Sequence, residues 1–99
     1  MRWPIGWYKR HKDYNRTCCY YCGVTEQEKE LHDDHYPPRS RKYEFPDYAH
    51  LTIRACYTCN YRLGNSMQAT LEERTLVAKG LVNPLDSDIQ GTEPREAHL

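Results

Sequence analysis

Apolar and polar positions along the chain resolve into two short strands and two short helices set among polar loops. Leu31 to Tyr36 reads as a short strand, and Pro37-Pro38 stops it, because proline has no N–H to give to a ladder. His50 to Ala55, with Leu51, Thr52 and Ile53 at its centre, is the second strand. A short helix is expected to open in the cysteine pair that follows and to end at Gly64-Asn65. Thr70-Leu71-Glu72-Glu73 is a capping-box signature, a Thr N-cap with Glu three residues on. It predicts a helix running to about Lys79 and ending at Gly80, with Leu71, Ala78 and Leu81 as candidate core positions. Elsewhere the pattern fades. Residues 1–17 show no clear periodicity, 24–30 fit a turn or a short helical piece, and 39–48 are loop-like. Asn83-Pro84 is expected to break any helix, and the polar residues after it read as a flexible tail.

Composition changes this picture in one respect. The 99 residues are 38% hydrophobic, with a mean hydropathy of −0.98. A domain of this size and polarity folds poorly on packing alone and calls for a staple. One Phe stands against nine Tyr and two Trp, residues that combine an apolar body with a polar edge and suit partly wet surfaces. The formal net charge is zero, but it is unevenly spread. Arg2, Lys9, Arg10, Lys12 and Arg16 face only Asp13 over residues 1–22, while Asp86, Asp88, Glu93 and Glu96 outweigh Arg95 over residues 83–99. A basic front is able to touch phosphates and equally able to be a solvated face. No run of 18 apolar residues is present, so no membrane span is expected. Met1-Arg2-Trp3-Pro4 is not followed by an apolar signal region, and a cytoplasmic location is the expectation. In a reducing compartment, five cysteines argue for metal rather than disulfides.

The cysteines carry the staple. Cys19-Tyr-Tyr-Cys22 and Cys56-Tyr-Thr-Cys59 are two C-x-x-C pairs with 33 residues between them. A two-residue gap lets both thiolates of a pair reach one tetrahedral ion from a tight turn, and Gly23 supplies the positive φ that such a turn needs. A structural Zn2+ of this kind contributes roughly 10–16 kcal/mol, enough to fold a marginal chain. Cys18 is the spare thiol, and a set using Cys18 in place of Cys19 would have a three-residue gap.

Between the pairs stands Leu31-His32-Asp33-Asp34-His35-Tyr36, and directly after the last cysteine comes Asn60. Asp and Asn oxygens are hard ligands suited to Mg2+ or Mn2+, and a neutral His takes a proton from water near pH 7. Together they make a site for cleaving phosphodiesters. Adjacent strand residues point to opposite faces, so Asp34 and His35 reach one site only where the strand is irregular. On a regular strand Asp33 shares the face of His35 and is the better metal ligand.

This order of motifs resembles the HNH, or ββα-metal, endonucleases. Cys56-Tyr-Thr-Cys59-Asn60-Tyr-Arg-Leu63-Gly64 is similar to recombination endonuclease VII relatives, and Asp34-His35-Tyr36-Pro37-Pro38 to an element of small phage and bacterial HNH-like proteins. The resemblance runs from about Cys19 to Gly64. It implies a small α+β fold, a zinc-stapled ββα-metal, treble-clef-like core with a C-terminal helix. The corresponding division is a basic aromatic segment over 1–17, the zinc-bound domain over 18–82 and an acidic tail over 83–99. His35 would be the general base, Asp34 and Asn60 would hold a catalytic Mg2+ or Mn2+, and the cysteines would be structural. Arg39, Arg41, Lys42, Arg54 and Arg62 become candidate phosphate contacts. The sequence departs from the family pattern where Pro37 stands in place of a second His.

Two functions follow as expectations. The first is a metal-dependent DNA endonuclease of phage or bacterial type, with a dimer as a common arrangement in structure-selective relatives. The second is a non-catalytic zinc module that binds DNA or a host protein, for which the tyrosines with Trp3 and Trp7 would form the interface.

Overall fold

Strand Leu31–Tyr36 forms over the range that the apolar pattern and the proline stop define, and Leu51–Cys56 forms one residue later than expected. The computed structural model describes residues 8–89. Trp3, Trp7 and the acidic residues beyond position 89 lie outside the described residues. In chain order the strands are β1 (Lys9–Arg10), β2 (Leu31–Tyr36) and β3 (Leu51–Cys56), and they make one three-stranded sheet in the order β1-β3-β2. β2 runs antiparallel to β3 in unbroken register, with Asp34 opposite Ile53, Asp33 opposite Arg54 and His35 opposite Thr52. β1 lies parallel to the other side of β3, Arg10 beside Thr52. Its presence joins part of the N-terminal segment to the sheet: the Lys9 N–H donates to the His50 carbonyl at 2.9 Å, and the His11 N–H to that of Thr52 at 2.9 Å.

Cross-strand partners share a face of a sheet, which divides the side chains cleanly. Asp34, Tyr36, Ile53 and Ala55 are buried on the inner face, under the helices. Arg10, Asp33, His35, Thr52 and Arg54 belong to the outer face.

Two helices cover the inner face. α1 (Tyr57–Leu63) begins in the second cysteine pair and stops at Gly64, whose φ of 52° takes the chain out of the helix. α2 (Leu71–Ala78) starts where the capping signature places it, with the Thr70 hydroxyl accepting from the Glu73 N–H at 3.1 Å. It ends in a Schellman arrangement: the Gly80 N–H reaches the Val77 carbonyl and the Leu81 N–H that of Leu76, with Gly80 at φ 81°. α1 packs on β2 and β3, and α2 packs on α1, burying Leu63, Met67, Val77 and Ala78. Leu81, expected as a core position, is 66% exposed, because the turn at Gly80 carries it off the helix face.

Two expectations about loops are corrected. Residues 39–44 form a 3-10 turn kinked at Arg41. Pro84 opens a short helix, α3 (Pro84–Ser87), instead of breaking one. At the first helical position its missing N–H is no loss, and the Asn83 side chain caps the turn by accepting from the Leu85 N–H at 2.8 Å. The chain then returns to the body, where the Ile89 N–H donates to the Met67 carbonyl at 2.8 Å. No described helix is long and apolar enough to cross a membrane.

Candidate metal centre and adjoining cleft

Each C-x-x-C pair is delivered by the local structure its sequence favours. Cys19 and Cys22 sit on a tight knuckle: the Cys22 N–H points at the Cys19 Sγ at 3.4 Å, the Gly23 N–H reaches the Cys19 carbonyl at 2.9 Å, and Gly23 has φ 83°. Cys56 is the last residue of β3, and Cys59 lies in the first turn of α1. All four ligand atoms fall within 4.8 Å of one another, and the Cys22 and Cys56 sulfurs are 3.8 Å apart. A tetrahedron with Zn–S bonds of about 2.3 Å has edges of about 3.8 Å, so the cluster has the dimensions of a Zn(Cys)4 site. Cys19, Cys56 and Cys59 are buried and Cys22 is exposed. Cys18 lies outside the cluster, in an isolated bridge to Thr25.

The thiols resist sharing negative charge without a cation. Burial alone would raise Cys19, but N–H groups of Cys22, Cys56 and Tyr21 more than offset it and lower its pKa. Burial, followed by the charge on Cys19, pushes Cys59 far up. A divalent cation removes this conflict, and four soft thiolates in a closed shell suit a structural metal such as zinc.

Asp34 occupies the interior beside this centre and is only 4% exposed. Arg74, which α2 brings in at 1% exposure, grips both of its oxygens: Nη2 to Oδ1 at 3.0 Å, Nη2 to Oδ2 at 3.2 Å and Nε to Oδ2 at 3.3 Å. The Tyr21 hydroxyl, from the knuckle between Cys19 and Cys22, also donates to Oδ2. Arg74 further donates to the Tyr21 oxygen at 2.9 Å, to Gln68 Oε1 at 3.2 Å and to the His35 carbonyl at 3.0 Å. Burial opposes the charge on Arg74, and Asp34 followed by Tyr21 more than compensates. Burial followed by the Asp34 charge raises Tyr21 well above its usual value, so its hydroxyl stays a donor. The sequence reading missed Arg74 and Tyr21.

A cleft of ≈ 190 Å³ opens at the free edge of β2 and is lined by Asp33, Asp34, His35, Arg39 and Asn60 among others. Because β2 is an edge strand, residues of both faces border it. His35 is half-buried, with the Tyr8 ring edge-on at 4.8 Å. Burial, followed by the nearby Arg39 guanidinium, lowers its pKa below the usual 6.5, which leaves the imidazole neutral at pH 7. Asp33 is exposed on the His35 face, and its Oδ1 accepts from the Tyr14 hydroxyl at 2.9 Å.

The expected phosphate contacts divide sharply. Arg39 is exposed and borders the cleft. Arg54 is half-buried on the outer face, its guanidinium 5.4 Å from the Tyr14 ring centre. Arg41 is committed to the fold, bonded to Glu44, to Asp88 at 2.7 Å and to the Asn65 and Ile89 carbonyls. Arg62 turns to the end of α2, donating to the Ala78 carbonyl at 3.1 Å. Lys42 lies over the Tyr43 ring, 5.5 Å from its centre. Among the described residues, the four cysteines are the one group of three or more Cys, His, Asp or Glu side chains close enough to share an ion.

No family model matches the chain, and no curated protein or solved structure is found to be similar to it.

Proposed function

We propose that the chain is a zinc-stabilised nuclease of the HNH type that hydrolyses DNA phosphodiester bonds with a second, catalytic Mg2+ or Mn2+. The observation that carries this reading is the meeting of His35, Asn60 and the Asp33-Asp34 pair at one cleft on the edge of β2. The antiparallel β2–β3 pair followed directly by α1 is the element order that such a core would have, which supports this reading.

The chemistry divides among the cleft residues. Neutral His35 accepts a proton from water, and the water oxygen forms a bond to phosphorus as the P–O bond to the leaving sugar oxygen breaks. Asp34 has its oxygens occupied by Arg74 and Tyr21. Asp33 borders the cleft and stands on the His35 face, so Asp33 and the Asn60 carbonyl are the fitting pair of hard donors. A divalent ion held by them would stabilise charge on the phosphate and on the leaving oxygen. Arg39 is placed to steady the phosphate.

The test is nicking of supercoiled plasmid with Mg2+ or Mn2+. Wild type is expected to nick and His35→Ala to lose the activity while keeping zinc and fold. Equal activity in both would remove His35 from the reaction. A second reading, a non-catalytic zinc module that binds DNA or another protein, is favoured by the capture of Asp34 in its ion pair. The exposed, stacked Tyr57 and Tyr61 rings also suit an interface. It predicts full zinc content and no cleavage by folded wild type.

A further inference from the structure

The outer face of the sheet carries basic residues that the cleft does not use, beside His35 and Asp33, which it does. Sheet register sets Arg10, Thr52 and His35 side by side on one rung, with Arg54 and Asp33 on the next rung of the same face. Strands about 4.8 Å apart put Arg10 about 10 Å from His35 at the backbone. Tyr14 organises the basic groups. The Arg10 guanidinium lies 4.6 Å from the centre of its ring and that of Arg54 lies 5.4 Å from it. Among the described residues neither arginine is in an ion pair, whereas Arg16, Arg41 and Arg74 each are. Asp33, the carboxylate nearest to them in the register, accepts a hydrogen bond from the Tyr14 hydroxyl instead. Two guanidinium groups are thus held against an aromatic ring, with no carboxylate paired to either among the described residues.

Arg41 and Arg74, which are committed to the fold, are paired with carboxylates. An arginine stacked on tyrosine keeps its N–H fork for an outside anion at little further cost in side-chain entropy. One strand of a duplex carries a phosphate for each ~3.4 Å of axis, so a span of about 10 Å covers about three phosphates. We propose that Arg10 and Arg54, held by Tyr14, form a phosphate-contact surface that receives the backbone of duplex DNA and leads it across the sheet to His35. This rests on the reading of the chain as a DNA-acting protein, and it gives the N-terminal strand a role in holding substrate.

The experiment is fluorescence anisotropy on a labelled ~20-bp duplex without added divalent ion, using the full, zinc-loaded chain over a series of salt concentrations. Arg10→Ala and Arg54→Ala are compared with Lys79→Ala, which removes the same charge from the exposed end of α2. Circular dichroism and zinc content establish that each variant is folded, and Arg10→Lys keeps the charge while losing the fork. Each arginine variant is expected to bind several-fold more weakly and to lower the slope of log K against log salt by about 0.9, with Lys79→Ala near wild type. Equal losses in all three alanine variants, no loss in the arginine variants, or no binding by the folded wild type would overturn the surface. Cleavage is scored separately on plasmid. Binding that follows the arginines without cleavage keeps the surface and removes the nuclease. Cleavage that ignores both arginines keeps the nuclease and removes the surface.

Discussion

At the residue scale, Asp33 and Asp34 show how one step along a strand separates two chemistries. Neighbours on β2 face opposite ways, so Asp34 enters the interior and meets Arg74 while Asp33 stays exposed on the face of half-buried His35. Removing one partner of a buried pair leaves the other charge uncompensated, at about 3–5 kcal/mol. Asp34→Asn is therefore expected to lose that much stability in urea unfolding, and replacing Arg74 by Met at the same time should recover part of it. A loss of less than about 0.5 kcal/mol in Asp34→Asn, the size of an ordinary surface change, would show that the pair does not hold the interior. Asp33→Asn keeps an oxygen for Tyr14 and should leave stability within that range, and under the proposed nuclease reading it should reduce plasmid nicking by about 10²-fold. The sequence displayed both aspartates and left their facing to strand regularity, and the unbroken register with β3 puts Asp33 on the His35 face. Arg74 was less visible because, beside Glu72 and Glu73, it reads as part of a solvated charge cluster. A signal was nevertheless present: Arg74 lies three residues after Leu71 and four before Ala78, on the face those two define.

At the element scale, legibility follows how local the determining interaction is. β2 was readable because its proline stop lies in the adjacent sequence, and α2 because cap and terminus are both written within ten residues. β1 was not readable: two basic residues carry no alternation, and pairing with β3 forty residues away alone makes them a strand. The start of the C-terminal segment was hidden for the same reason. Asp88 accepts from the Met67 N–H at 2.9 Å and from Arg41 at 2.7 Å, tying the end of α3 to the 3-10 turn and to the loop before α2. Burial would raise its pKa, but the Met67 N–H and then Arg41 outweigh this, so it lies below the usual 3.8. A depressed carboxylate favours folding above its unfolded pKa, and that stability is lost as the pH falls through the folded value. Wild type should accordingly lose stability more steeply than Asp88→Asn as the pH drops below about 4, with the curves converging at the acid end. Parallel curves over that range would remove Asp88 as a pH-sensitive tie. For the element with the clearest local signature, Thr70→Ala should cost about 1 kcal/mol through loss of the α2 cap.

At the scale of the whole molecule, the four-cysteine cluster draws together three parts of the fold. The knuckle gives two ligands, the end of β3 one and the first turn of α1 the last. Tyr21, between the knuckle cysteines, then carries the connection to Asp34 and Arg74, and Arg74 holds the His35 carbonyl. The sulfur cluster, the buried ion pair and the cleft are therefore one connected structure. Here the sequence was most informative, because C-x-x-C spacing encodes the ligand geometry within each pair. The three-residue gap already marked Cys18 as the spare thiol, and in the fold it lies outside the cluster, bridging to Thr25. One zinc per chain is expected by elemental analysis, and a strong chelator should abolish the cooperative unfolding transition, since the binding energy of roughly 10–16 kcal/mol exceeds the usual stability of a small domain. Cys56→Ser should give the same loss without a chelator, while Cys18→Ser should keep full zinc and a wild-type transition. If Cys18→Ser lost the metal and Cys19→Ser kept it, the ligand set would have to be redrawn around the other thiol, and Tyr21 would no longer stand between two ligands as the link from zinc to the cleft.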